Sequence, residues 1–114
     1  MKILSVMTFD PSAVSGPPTQ QDFENMDRLI AEMRDKGVLV DTGGHTPGML
    51  QLKVARKNGN TTVTDGPFTE AKEIVGGFGV LEVKDREEAI TWTNRFLDLV
   101  GNATCTITEI GPTP

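Results

Sequence analysis

Apolar and polar positions along this chain follow two different periods, and the switches between them divide it into elements. From Lys2 to Phe9 apolar side chains occupy both parities, with Ile3, Met7 and Phe9 on one face and Leu4 and Val6 on the other. That pattern predicts a strand buried on both sides. Asp10 to Thr19 holds Pro11, Gly16, Pro17 and Pro18 and continues neither period, so a loop is expected there. Phe23, Met26, Leu29, Ile30 and Met33 then fall at helical spacing. They predict a helix over Gln20 to Lys36, with Thr19 as its N-cap and Gly37 as its stop. Val38 to Val40 begins a second strand, which the glycines and proline of Asp41 to Gly48 are expected to break.

Leu50, Leu52 and Val54 alternate with Gln51, Lys53 and Ala55, and Asn58-Gly59 is a type I′ turn signal before Thr61 to Thr64. A hairpin is expected mid-chain. Ile74 to Lys84 again carries apolar residues on both parities, and Asp85-Arg86-Glu87-Glu88 resembles a capping box opening a second helix. Ala89, Trp92, Phe96 and Val100 form its apolar stripe, Gly101 ends it, and Thr104 to Ile110 reads as a last strand before a Pro-containing tail expected to fray. The order is strand, helix, strand, inserted hairpin, strand, helix, strand, which predicts an α+β fold of the ferredoxin-like, split βαβ kind. Both helices are expected on one sheet face. The other face then exposes an apolar patch, so a homodimer through sheet faces is expected, with a ligand cleft at its interface.

The length of 114 residues suits one domain spanning 1–114 with a modest core. No run of about 18 apolar residues occurs and the opening Met1 to Met7 is too short for a signal sequence, so no membrane association and a cytoplasmic location are expected. Cys105 is the one cysteine, which rules out an internal disulfide and is expected to be a buried, inert thiol on a strand. The formal charge of −5 and the dispersed Lys and Arg argue against nucleic acid as a partner. Metal-ligand spacing, a nucleotide fingerprint, a serine nucleophile elbow and a Cys–His pair are all missing from the sequence, so neither a metal nor a cofactor is expected.

The stretch Asp65-Gly66-Pro67-Phe68-Thr69-Glu70-Ala71-Lys72-Glu73, followed by Gly76-Gly77-Phe78, resembles the defining motif of the DGPF subgroup of YCII-related proteins. The resemblance implies a dimeric α/β-barrel relative of ferredoxin-like form, in a family with a few members linked to small-molecule chemistry on ring compounds. The wider family often sets a histidine close to the first strand against the aspartate as an acid/base dyad. This first strand has no histidine. Many subgroup members carry a further aromatic after GGF where this chain has Gly79, a change that either enlarges a pocket or leaves room for packed backbone.

Asp65 is the leading acid/base candidate, since a carboxylate ending a strand at a turn can lean into a cleft and be partly desolvated. The competing reading is an Asx turn, with Gly66 and Pro67 supplying the backbone angles. His45, the only histidine, either partners Asp65 across the cleft or sits exposed in its loop. Gly66, Pro67, Phe68, Glu70, Lys72 and Phe78 are the candidate ligand-binding residues. Their plainer roles are a turn, a solvated charged stretch and core aromatics. Gly76, Gly77 and Gly79 within a strand pattern point to a bulge or a close backbone approach. Two functions follow: a small cofactor-independent enzyme of lyase, isomerase or dehydrohalogenase type acting on a cyclic or polar molecule with Asp65 as acid/base, or a noncatalytic ligand-binding or regulatory dimeric module.

Overall fold

The computed structural model of the protein describes residues 1–13, 16–46, 48–68 and 74–113. The strand at Lys2–Phe9 (β1), the helix at Gln20–Asp35 (α1) and the strand at Leu39–Gly44 (β2) come first. The strands Leu52–Lys57 (β3), Asn60–Asp65 (β4) and Ile74–Glu82 (β5) follow, then the helix Arg86–Val100 (α2) and the strand Thr104–Glu109 (β6). A short 3-10 turn, Pro11–Ala13, lies in the loop after β1. β1 and β5 hold the middle of a four-stranded sheet in the order β2-β5-β1-β6, with every pairing antiparallel. This mixed α+β architecture is compatible with a ferredoxin-like fold. β3 and β4 pair only with each other, as a separate two-stranded sheet.

Local chemistry accounts for the element ends. The Thr19 hydroxyl accepts from the backbone N–H of Asp22 (3.1 Å), and the Asp22 carboxylate accepts in return from the N–H of Thr19 (2.8 Å). This reciprocal box satisfies two of the donors that a helix start leaves unpaired. At α2 the Asp85 carboxylate caps Glu88 N–H at 2.9 Å, one half of the box expected there. Asn58 and Gly59 both have positive φ, 52° and 80°, as a type I′ turn requires.

The second strand differs most from expectation: it runs on to Gly44 instead of breaking after Val40. Gly43 and Gly44 pair with Phe78 and Gly77, and the His45 N–H continues the ladder by donating to the Gly76 carbonyl at 2.9 Å. Glycines that read as a break in one strand are tolerated because the facing strand is glycine-rich as well. A Cβ on Gly77 would lie 2.7 Å from the Gly43 carbonyl oxygen, so the two backbones approach as side chains would forbid. Opposite Gly76 the β1–β5 register shifts between Met7 and Thr8, the irregularity anticipated for this stretch.

Both helices cover one sheet face. Ile3, Leu81 and Val83 from the sheet side meet Leu29, Met33, Val38, Ala89 and Trp92 in the buried core. Each large side chain so buried contributes about 1.5–3 kcal/mol. Across the helix interface Arg95 donates to both carboxylate oxygens of Glu32, and Lys36 lies 3.6 Å from the same group. The opposite sheet face has no covering layer in the single chain, and Val75 and Phe78 are exposed on it.

Candidate functional site

The core does not extend along the whole helix-facing side of the sheet. Residues opposed in an antiparallel pair share a face, so the rungs can be followed from the filled end. The first, Leu39, Leu81 and Ile3, is apolar and packed. The next is Thr42, Gly79 and Ser5, and the one after it Gly44, Gly77, Met7 and Cys105. Side-chain volume therefore falls sharply along β5, from Leu81 to two glycines on the same face. The helices above do not sag into the vacated space, and a cavity of about 340 Å³ lies between the layers.

Its roof is Met26, Leu29, Ile30 and Met33 from α1 and Trp92, Thr93, Phe96 and Val100 from α2. The hydroxyls that reach it already have partners: Thr42 donates to the Phe78 carbonyl at 2.8 Å and Thr93 to the Ala89 carbonyl at 2.8 Å. Burial pushes the Cys105 thiol above its ordinary pKa, and a hydrogen bond with Ser5 offsets part of that rise. The thiol is thus kept neutral and poorly nucleophilic, in line with the inert cysteine expected from sequence. Among the described lining residues there is no carboxylate, lysine, arginine or histidine. Methionine side chains adapt their shape and their sulfur contacts aromatic edges favourably, so these walls suit a small apolar or aromatic molecule. The volume falls at the lower end of ligand pockets, ~300–1,000 Å³.

Of the candidate catalytic and ligand-binding residues read from the sequence, only Phe78 borders this space, together with Gly76, Gly77, Gly79 and Cys105, which the sequence marked for other reasons. The Phe78 ring, 40% exposed, lies over Gly43 on the open sheet face. Asp65 ends β4 in the separate hairpin and is exposed, and among the described residues no backbone N–H donates to its carboxylate. The Gly66 N–H donates instead to the Gln51 carbonyl at 2.7 Å, and a Cβ on Gly66 would lie 2.8 Å from that oxygen, which explains a glycine here. Pro67 follows it exposed, and the half-buried Phe68 ring carries the Lys53 ammonium 4.4 Å from its centroid. His45 is half-buried one residue beyond the cavity-lining Gly44, and no hydrogen bond links it to Asp65 among the described residues. Glu70 and Lys72 lie outside the described residues. No group of three or more His, Cys, Asp or Glu among the described residues is placed to hold a metal ion.

The cavity walls escaped the sequence reading because they come from six elements. One signal was present: Gly77 and Gly79 alternate with Leu81 and Val83 on one strand face, a run from small to large that marks vacated volume.

The fold and this space define a small α+β protein with two helices over an antiparallel sheet and an apolar ligand-sized cavity between the layers. A family model described as the YCII-related domain matches residues 1–98, and the chain belongs to that family. β6 completes the sheet beyond the matched range. No curated protein matches the chain. Among the described residues no helix is long and apolar enough to cross a membrane.

Proposed function

We propose that this protein is a noncatalytic small-ligand-binding module of the DGPF subgroup, working in the cytosol as a homodimer of dimeric α/β-barrel type, and that the space between helices and sheet is its binding site. The observation that carries this reading is the cavity lining: three methionines and three aromatic residues, with every charged side chain excluded among the described residues. Such walls favour an uncharged ring compound and would leave a buried charge unpaired. Gly79, where the DGPF resemblance implies an aromatic in many members, is one of the residues that keep the floor open. The homodimer is supported by the apolar side chains on the uncovered sheet face, Leu4, Val6, Val75, Phe78 and Val80, which a second copy would cover.

A second reading, a cofactor-independent enzyme with Asp65 as acid/base, is favoured by one observation. The Asp65 carboxylate is not occupied by the backbone of its own turn among the described residues. The two readings separate in a fluorescence titration with N-phenyl-1-naphthylamine, a neutral apolar fluorophore. The wild type is expected to saturate at one probe per chain, and Asp65→Asn to bind equally well. Failure of the wild type to bind, or loss of binding in Asp65→Asn with an intact circular dichroism spectrum, would sink the ligand-cavity reading.

A further inference from the structure

β1 runs through the middle of the sheet, and Ile3, Ser5 and Met7 are the side chains it turns toward the helices. Ile3 and Met7 are apolar, as that side of a central strand requires. Ser5 between them is half-buried on the cavity floor, in one rung with Gly79 and Thr42. A hydroxyl drawn out of water at such a place is costly unless it finds a good partner. Among the described residues no oxygen accepts the Ser5 proton, and its one neighbour of that kind is the Cys105 sulfur, a weak acceptor. The Thr42 and Thr93 protons are committed to the Phe78 and Ala89 carbonyls. Ser5 therefore holds the one hydroxyl proton that the described lining has to offer a ligand. The space beside it is open because Gly79, directly opposed to it, has no side chain. Opposed residues stand about 4.5–5.5 Å apart, so a ring laid over Gly79 carries a substituent oxygen within reach of that hydroxyl.

We infer that Ser5 is the polar anchor of the cavity and that the ligand is an uncharged ring bearing a carbonyl oxygen, which accepts from the Ser5 hydroxyl while the ring lies over Gly79. The inference rests on the ligand-cavity reading above and narrows its ligand class. A pure hydrocarbon fills the same space but leaves the serine proton on sulfur. A carboxylate would accept that proton, yet the described lining has no cation to set against its charge.

The test compares acetophenone with cumene, which has a methyl group where acetophenone has its carbonyl oxygen. Each is titrated against the N-phenyl-1-naphthylamine complex of the wild type and of Ser5→Ala. The variant is expected to bind acetophenone about fivefold more weakly than the wild type, the loss typical of one neutral hydrogen bond, and to bind cumene unchanged. Unchanged cumene binding also shows that the cavity of the variant is intact. A second measurement needs no variant: the infrared carbonyl stretch of acetophenone bound to the wild type is expected below its position in an alkane, because a hydrogen bond weakens the C=O bond. If the wild type binds neither the fluorophore nor cumene, the cavity reading falls and the anchor with it. If both bind but acetophenone does not, or Ser5→Ala leaves its affinity untouched, or its carbonyl stretch stays at the alkane position, the anchor alone is overturned. Equal losses for acetophenone and cumene in Ser5→Ala would make the serine a packing feature and overturn it as well.

Discussion

Two glycines two positions apart on the same strand face have opposite roles. Gly77 faces backbone, since an added Cβ would meet the Gly43 carbonyl at 2.7 Å and could be relieved only by parting β2 from β5. Gly79 faces space, and its Cβ would meet only the end of the Leu81 side chain, at 3.3 Å. Gly77→Ala is therefore expected to cost ~1–3 kcal/mol in urea unfolding, the range for overpacked sites. Gly79→Ala should leave the midpoint nearly where it was. Equal losses at both positions would remove the distinction between floor and ladder. The sequence marks both positions as glycine in a strand, and so anticipates a close approach. It does not say which glycine touches backbone and which opens a cavity, because that depends on β2, whose pairing partner lies more than thirty residues away.

Among elements, the contact between α1 and α2 has a titratable component. The Arg95 guanidinium holds the Glu32 carboxyl below its ordinary value of 4.5, with Lys36 adding to the effect, and both cations lie over the ring of Trp92. A carboxyl with a depressed folded-state pKa stabilises the native state above its unfolded value and loses that contribution as pH falls through the folded one. Glu32→Gln is expected to unfold at lower urea than wild type at pH 7. The two curves should converge as pH drops below about 4.5 and Glu32 takes up its proton. The fluorescence of Trp92, the chain's only tryptophan, reports the transition directly. A gap that persists unchanged at pH 2 would mean that the ion pair is not its source. The helices were legible in the sequence because their apolar stripes and caps are local. The Glu32–Arg95 pair spans 63 residues and no period announces it.

For the whole molecule, element order led to two helices over one antiparallel sheet, since each strand and helix carried its own periodicity. The sequence leads to a ligand site at a dimer cleft around Asp65, and the single chain has a partly open cavity of its own on the helix-covered side of the sheet. The motif drew attention to the hairpin end because its residues are contiguous. The cavity walls are scattered over six elements, and only the fold assembles them.

The central claim, that this cavity binds a small apolar molecule, is tested most directly by filling it from its own floor. Gly79→Leu sends a branched side chain from β5 into the space beneath Met26, Ile30 and Phe96. In a titration with N-phenyl-1-naphthylamine at matched circular dichroism, the expected result is saturable binding by the wild type and affinity about tenfold or more weaker in Gly79→Leu. Undiminished affinity in the filled variant would contradict the account.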